Sequence, residues 1–236
     1  WDPLRYLFPV VAPLTGKVER FTPLPYADKP QYINNTVVDD FLDENLDLRW
    51  TFVRVPEDKT YSLSENPGFL RLYSKPGIIQ DRKRFSLVGF RQKESDFEFE
   101  VKMNFSPEKD KVESGIIHYQ KEWNYLTNTV TKVKKKYYLE QKLKEKSKEI
   151  VTLKKTILKG YDGNIILKVK SKKDKYDFYY SLNNGSSFIY FTSMDAIKIL
   201  DRNYTGALLG LYTTSNEKVT QDYADYDWIR YRDYLR

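Results

Sequence analysis

Short runs in which apolar and polar residues alternate recur along most of the chain. In the clearest one, FEFEVKM at positions 97–103, apolar residues occupy every second position. This period of two is typical of an antiparallel strand with one buried face. Turn residues separate ten runs that we interpret as strands, at positions 48–55, 69–73, 85–90, 96–104, 115–120, 165–170, 176–181, 188–192, 207–212 and 226–232. The pattern predicts an all-β fold, a two-sheet antiparallel β-sandwich.

The beginning of the chain departs from this pattern. Residues 1–35 contain six prolines, which prevent regular strand ladders and helices. Apolar residues such as Leu4, Phe8 and Val10 are too frequent for a free linker, so we expect this segment to lie against a surface. The sequence therefore predicts an extended Pro-rich strap at 1–35, followed by a sandwich domain at 36–236.

A lysine-rich segment between Lys132 and Lys159 carries the positive charge of the chain. It holds 11 lysines and three glutamates, and the formal net charge of the whole chain is +7. The spacing of Leu139, Leu143 and Ile150 suits a helical stripe, but the segment also suits a long hairpin at the sheet edge, which we favour. Because lysines at an edge discourage strand pairing, and no recognition motif accompanies them, we expect no nucleic-acid partner.

Composition excludes several kinds of active site. The chain has no cysteine, which excludes disulfides, thiolate metal sites and cysteine nucleophiles. Its one histidine, His118, lies in the apolar run 115–119, where we expect it to be packed in the core or to face a groove. No apolar run approaches the roughly 18 residues that a membrane span requires, so we expect none.

Three carboxylates form the pattern closest to a catalytic site. On a strand, alternation would aim Glu94, Asp96 and Glu98 at the same face, where two of them could act as nucleophile and general acid on a sugar. The pattern resembles the E-x-D-x-E signature of the laminarinase and lichenase group of glycoside hydrolases. The alternative is a solvated strand face that lies opposite Phe97 and Phe99.

Acidic residues also gather near both ends of the sandwich, at 39–40 and at 222, 225 and 227. In many sandwiches the first and last strands are neighbours, which would bring these carboxylates together. Hard oxygen ligands suit calcium, so we expect Asp40 and Asp227 to hold a structural calcium ion, the one cofactor that the sequence suggests. The alternative is a pair of surface carboxylates without a metal.

Aromatic residues are abundant, with 20 tyrosines, 13 phenylalanines and 4 tryptophans. Flat rings with hydrogen-bonding tips suit the faces of sugar rings. Trp123 and Tyr125, beside a strand that we predict to be concave, are therefore candidate substrate-binding residues together with His118. Most of the other aromatic residues are expected to fill the core.

Taken in order, several fragments resemble the C-terminal concanavalin-like β-sandwich, a jelly roll, of β-xylosidases and arabinofuranosidases in glycoside hydrolase family 43. The resemblance covers roughly residues 36–233. The fragments that carry it include VDDF at 38–41, NPGFLRL at 66–72, LVGFRQ at 87–92, YTGA at 204–207 and ADYDW at 224–228.

The resemblance implies that the sugar-cleaving carboxylates lie outside this chain. In the family they belong to a five-bladed propeller that precedes the sandwich, and Glu94, Asp96 and Glu98 lie in a strand that the family does not use for catalysis. In complete enzymes of the family, a loop before the strand that matches LVGFRQ at 87–92 helps to close the substrate pocket with an aromatic side chain. The matching stretch is about 76–85, which makes Phe85 a further candidate substrate-binding residue.

We therefore expect a non-catalytic accessory sandwich that packs on a glycoside hydrolase catalytic domain, in cis or in trans, and helps to close a pocket for a xylan- or arabinan-type substrate. One alternative is a free-standing carbohydrate-binding or surface protein whose lysines meet acidic polysaccharide. Another is a sandwich β-glucanase that uses Glu94 and Glu98. A secreted, periplasmic or cell-surface location is favoured over the cytoplasm.

Overall fold

The protein forms two antiparallel sheets that pack face to face. The computed structural model describes residues 36–56, 59–81, 85–199 and 206–234, so the strap predicted at 1–35 lies outside the described residues. The strands are β1 (Thr36–Asp39), β2 (Thr51–Phe52), β3 (Tyr61–Ser62), β4 (Leu70–Tyr73), β5 (Ser86–Arg91), β6 (Phe97–Asn104), β7 (Glu113–Lys121), β8 (Asn124–Val133), β9 (Lys136–Glu145), β10 (Val151–Ile157), β11 (Asn164–Lys172), β12 (Lys175–Ser181), β13 (Ile189–Asp195), β14 (Leu208–Thr214) and β15 (Tyr223–Asp233).

An eight-stranded and a seven-stranded sheet make up the sandwich. The first has the order β13-β12-β11-β6-β15-β4-β3, and β1 also pairs with β15; the second has the order β10-β9-β8-β7-β14-β5-β2. Two short 3₁₀ turns, Ile79–Asp81 and Ala196–Lys198, complete the described elements. The predicted all-β, two-sheet antiparallel sandwich is confirmed. Among the described residues there is no helix of the length and hydropathy needed to cross a membrane.

The core lies between the two sheets and follows the alternation in the sequence. The side chains of Phe97, Phe99, Val101 and Met103 on β6 are fully buried. The Phe90 ring on β5 packs edge-on against the Phe99 ring, with 5.6 Å between their centroids. Period-two patterning therefore identified the inner face of β6 correctly, because each apolar residue on that strand points at the opposite sheet.

The lysine-rich segment forms strands, which excludes the helical interpretation. β9 pairs with β8 on one side and with β10 on the other, and β10 is the edge strand of the seven-stranded sheet. The edge hairpin favoured by the sequence is therefore confirmed.

The run predicted at 48–55 is mostly a turn, and only Thr51–Phe52 is a strand. The Asp47 carboxylate accepts the amide N–H of Arg49 at 2.8 Å, and the Asp47 carbonyl accepts that of Trp50 at 3.0 Å. These local bonds compete with a strand ladder, which explains the late start of β2.

Two glycines allow neighbouring strands of the seven-stranded sheet to approach closely on the face turned away from the core. Gly89 on β5 pairs with Gly210 on β14. A Cβ atom at Gly89 would lie 2.8 Å from the Leu209 carbonyl oxygen, and one at Gly210 would lie 2.8 Å from the Val88 carbonyl oxygen. A side chain at either position would force the strands apart, so only glycine fits this curvature.

Candidate functional site

The outer face of the seven-stranded sheet, which is the face turned away from the core, carries a second apolar layer. Alternate residues of β5, β7, β8 and β14 point to this side because side chains alternate along a strand. We call this layer the outer apolar cluster; it consists of Ile79, Leu87, Ile117, Tyr119, Tyr125, Leu208 and Tyr212, with Val53 and Phe85 packed against it. It is separate from the core between the sheets, which forms its own cluster.

A cleft with a volume of about 490 Å³ adjoins this cluster at one end of the sheet. Val53, Tyr119 and Leu208 line the cleft and also belong to the outer apolar cluster or pack against it. Arg54 and Trp123 line it as well. We call it the end cleft, and it combines an apolar floor with charged and aromatic walls.

Trp123 lies in the turn between β7 and β8, and its side chain is 37% exposed. The Lys121 ammonium lies 5.4 Å from the centroid of the Trp123 ring. Nearby, Arg54 Nη2 donates to Glu122 Oε1 at 2.9 Å. A flat ring beside an arginine and a carboxylate is an arrangement that can bind the face and the hydroxyl groups of a neutral sugar.

Two tyrosines of the outer apolar cluster keep their hydroxyl groups protonated. Burial raises the pKa of Tyr119 to about 12, and burial also raises the pKa of Tyr125. Tyr119 reaches the end cleft, whereas Tyr125 is only 4% exposed within the cluster. Phe85 is half-buried against the same cluster. The structure thus brings Phe85, Trp123 and Tyr125 to one side of the sandwich, and Trp123 is the most exposed of the three.

His118 lies on the opposite side of β7, in the core between the sheets. It is fully buried, and the centroid of its ring lies 5.0 Å from that of Tyr176 and 5.7 Å from that of Phe178. Burial lowers the pKa of His118 to about 3, so the ring is neutral. Neither ring nitrogen has a hydrogen-bond partner in the described part of the chain. A sugar on the outer face cannot reach His118, which corrects its assignment as a substrate-binding residue.

The three carboxylates of the E-x-D-x-E pattern do not share a face. β6 begins at Phe97, so Glu94 and Asp96 precede the strand. Asp96 is buried, and its Oδ1 accepts the amide N–H of Lys173 at 3.0 Å. The sequence interpretation assumed that the strand began earlier, and this turn bond gives Asp96 a structural role instead.

Glu98 faces outward but is held by two lysines. Its carboxylate oxygens lie 2.8 Å from Lys170 Nζ and 3.4 Å from Lys168 Nζ. Partial burial by itself would raise the pKa of Glu98, but the Lys170 hydrogen bond and the Lys168 charge outweigh burial and lower the pKa. A general acid requires a raised pKa. The arrangement therefore does not support the glucanase alternative with Glu94 and Glu98.

The ends of the domain are neighbours, as the calcium prediction assumed. β1 pairs with β15, and Asp39 lies opposite Ile229. Asp39 Oδ2 nevertheless accepts Trp50 Nε1 at 2.7 Å, and Asp227 pairs with Lys102 Nζ at 2.7 Å. Protein donors therefore already hold these two carboxylates.

The other acidic residues of this group are also held by protein donors. Asp225 accepts Arg71 Nε and Nη2, each at 2.8 Å, and Asp222 accepts the amide N–H of Glu108 at 2.6 Å. No group of three or more acidic or histidine side chains in the described ranges could hold a metal ion. The calcium site at Asp40 and Asp227 stays a prediction.

Sequence reasoning missed the charged part of the end cleft. Arg54 and Glu122 lie 68 positions apart and meet only because the end of β2 approaches the turn between β7 and β8. Arg91 lines the same cleft and donates to the Gly206 carbonyl oxygen at 2.7 Å. No local pattern in one sequence predicts such long-range pairs, although Trp123, a candidate substrate-binding residue in the sequence analysis, lines the same cleft.

Known proteins resemble this chain over most of its length. A non-reducing end α-L-arabinofuranosidase of Bacteroides ovatus is 26% identical over 218 residues, which cover 92% of this chain and 41% of that protein. A xylosidase/arabinosidase of Butyrivibrio fibrisolvens is 29% identical and matches 94% of this chain and 43% of its own length. The chain thus spans about two fifths of the length of these relatives.

Solved structures agree with this resemblance. A family 43 protein from Bacillus licheniformis superposes with a TM-score of 0.75 at 30% identity, over 86% of this chain and 40% of that chain. A family 43 protein from Bacteroides ovatus superposes with a TM-score of 0.79 at 24% identity, over 89% of this chain and 42% of that chain, and supports the fold. The family model of the β-xylosidase C-terminal concanavalin A-like domain matches residues 38–232. The chain therefore belongs to the family of β-xylosidase C-terminal concanavalin A-like domains.

Proposed function

We propose that the chain is the accessory sandwich of a glycoside hydrolase that acts on xylan- or arabinan-type substrates, and that it packs on a catalytic domain and helps to close its substrate pocket. The observation that carries this proposal is the outer apolar cluster with the end cleft beside it. Both lie on the outer face of one sheet, so a single surface combines a packing layer and a site suited to sugar.

The outer apolar cluster is the argument for packing. A sandwich needs only one core, which lies between its sheets. A second apolar layer on the outside of a sheet requires a covering layer of its own, and such layers are typical of contacts between domains. Leu87, Ile117 and Tyr212 in this cluster are already buried within the chain, so the surface left for a partner is its rim, where Val53 and Phe85 are half-buried. This face is therefore our proposed side for the remainder of the enzyme.

The stretch at 76–85 and the end cleft are the argument for a role at the pocket. Phe85 directly precedes β5 and packs against the outer apolar cluster, next to the proposed packing side. Trp123 and the Arg54–Glu122 pair line the cleft at one end of the same face. Aromatic and charged side chains at the rim of a domain contact can complete a sugar site that the other domain begins.

The proposal is tested by mixing the chain with separately produced family 43 catalytic propellers. Association is measured by analytical ultracentrifugation, and hydrolysis of nitrophenyl β-xyloside and α-arabinofuranoside by kcat/KM. We expect association and a gain in kcat/KM with a matching propeller. No association and no gain with any of several propellers would contradict the proposal.

Two variants test whether aromatic side chains of the proposed face contribute to this gain. Phe85→Ala and Trp123→Ala are expected to reduce the gain in kcat/KM, because each removes a ring from the proposed face. The control is Tyr190→Ala on β13, whose side chain is 55% exposed at the edge of the other sheet. An equal reduction by the Tyr190 variant would indicate a general loss of structure and would count against this assignment.

A further inference from the structure

The β9–β10 hairpin projects from the edge of the seven-stranded sheet. Six of the seven residues of β10 are exposed, and Thr156 is half-buried. Leu153 is 40% exposed and Val151 is 51% exposed. A strand that is exposed on both faces contributes little to the core, so its side chains are available to a partner.

Most of the lysines on this hairpin and its flanking turns form no ion pair with another described residue. Lys142, Lys148 and Lys155 pair with glutamates. Six others, all of them exposed, have no carboxylate partner in the part of the chain that the structure describes: Lys134, Lys135, Lys136, Lys146, Lys154 and Lys159. We call these six residues the lysine ridge. Their charges face solvent and produce a positive potential along the edge.

The lysine ridge is elongated. Lys136 begins β9, and Lys146 follows its last residue, so the two ends are separated by about 30 Å at the usual rise per strand residue. Lys154 lies opposite Gln141, near the middle of β9. Lys159 follows β10 at the end where Lys136 lies. Cations spread over this length, on the edge strands and in the turns that flank them, are complementary to an extended polyanion rather than to a single small anion.

The chemistry of the ridge favours a polysaccharide over a nucleic acid. The segment 132–159 contains no arginine, which is the side chain suited to bidentate phosphate binding. Its two tyrosines are half-buried, and each contacts another side chain. The ring centroids of Tyr137 and Tyr161 lie 4.8 Å apart, and Lys155 Nζ lies 4.4 Å from the centroid of the Tyr138 ring. Each ring therefore already has a protein side chain against it, which reduces the surface available for stacking a base. Isolated ammonium groups suit a polymer with spaced carboxylates.

We propose that the lysine ridge binds a linear polysaccharide that carries carboxylate groups, such as a chain with uronic acid units. This inference rests on the proposed function, because it gives the accessory sandwich its own contact with an acidic substrate chain. The ridge lies at the β10 edge of the sheet, while the end cleft lies where β2 meets the turn between β7 and β8. The two sites would thus contact different parts of a polysaccharide.

The probe is polygalacturonate, a linear polymer of uronic acid, and binding is measured by isothermal titration calorimetry. We expect binding at low salt that is lost by about 0.5 M salt, because exposed charges are screened on that scale. The ridge variant combines Lys146→Gln, Lys154→Gln and Lys159→Gln. It should bind about tenfold more weakly, since three exposed ion pairs are removed.

The matched control removes three exposed lysines from the β11–β12 turn, with Lys172→Gln, Lys173→Gln and Lys175→Gln. It has the same net charge as the ridge variant and should keep its affinity within about twofold. Equal weakening by both variants, or no binding by the unmodified chain, would overturn the inference. Tighter binding to a single-stranded RNA homopolymer than to polygalacturonate would also overturn it.

The experiment distinguishes this inference from the proposed function. The ridge variant is assayed with a matching catalytic propeller on the neutral nitrophenyl substrates, where its gain in kcat/KM should equal that of the unmodified chain. If the gain persists but polygalacturonate does not bind, the proposed polysaccharide binding by the lysine ridge is wrong and the accessory role stands. If polygalacturonate binds but no propeller associates, the accessory role fails and the ridge acts as a binding site by itself.

Discussion

The two sheets present opposite kinds of outer face. On the eight-stranded sheet, charges from neighbouring strands pair with each other: Lys168 Nζ lies 2.9 Å from Glu100, and Lys102 Nζ lies 2.7 Å from Asp227. On the seven-stranded sheet, the residues of β5, β7 and β14 that point away from the core belong largely to the outer apolar cluster, whereas further along the sheet Lys142 pairs with Glu113 and Glu140. A face of paired charges is compatible with water, whereas an apolar face requires a cover. The difference identifies the side on which we propose that the sandwich meets its enzyme.

Removing an apolar side chain from the outer apolar cluster is expected to have the largest effect. Ile117→Ala should lower the free energy of unfolding by about 3 kcal/mol, because the side chain is fully buried. Ile189→Ala on the eight-stranded sheet is the matched control, since that isoleucine is 50% exposed and should cost less than about 1 kcal/mol. Urea denaturation measures both variants. Similar small losses would show that the two outer faces do not differ.

His118, on the core-facing side of β7, makes the stability of the protein depend on pH. The pKa of His118 in the folded protein is lowered to about 3, so the unfolded chain takes up the proton first as the pH falls below 6.5. Folding stability is fully present above that pH and decreases by about 1.4 kcal/mol per pH unit down to the folded pKa.

His118→Leu tests this pH dependence. Leucine does not titrate, so the variant should gain about 2 kcal/mol relative to the unmodified chain when the pH is lowered from 7 to 5. Urea denaturation at both pH values measures the difference. Parallel changes in the two proteins would show that His118 titrates normally and would contradict its burial in the core.

Each sheet also has a hairpin with two residues at positive φ in its turn. These are Lys134 (47°) and Lys135 (66°) between β8 and β9, and Lys173 (50°) and Asp174 (62°) between β11 and β12. Lys134→Asn with Lys135→Gly should stabilise the protein by about 0.5–1 kcal/mol, because Asn-Gly adopts this turn readily. The equivalent change at 173–174 should give the same gain. A loss of thermal stability in either double variant would contradict this account of the turns.

An effect as small as that of the turn variants is expected on the paired charges of the eight-stranded sheet. Glu98→Gln should cost about 0.5–1 kcal/mol at low salt, and the loss should shrink at about 0.5 M NaCl. The control is Glu149→Gln, an exposed glutamate beside the lysine ridge. A cost that does not change with salt would show that the outer face of β6 is held by something other than paired charges.

The sequence predicts the fold best where one face of a strand is apolar and the other is charged. β6 meets this condition, and its inner face was identified residue by residue. β8 was missed, because polar residues such as Thr127, Asn128 and Thr129 are buried on both of its faces. Inside the core, Asn128 Oδ1 accepts Gln141 Nε2 at 2.9 Å, and such a pair leaves no apolar period to detect.

The candidate site was predicted less completely than the fold. Trp123 was named as an aromatic residue beside a strand predicted to be concave, but Arg54 and Glu122 meet only through the sheet topology. The interpretation of Glu94 and Asp96 failed because it depended on the residue at which a strand begins. Alternation fixes which residues share a face only within the strand, and β6 starts one residue after Asp96.

The exposed edge strand makes a small part of the positive charge of this protein separable from its sandwich. In the described structure β10 is joined to the sheet by its single ladder with β9, and it contains two adjacent exposed lysines, Lys154 and Lys155. A protease that cuts after lysine has sites in the exposed turns on either side of this strand, at Lys148 and Lys159, and cleavage at both would release β10. β9 would then become the edge of a shorter sheet, and the core between the two sheets would stay closed.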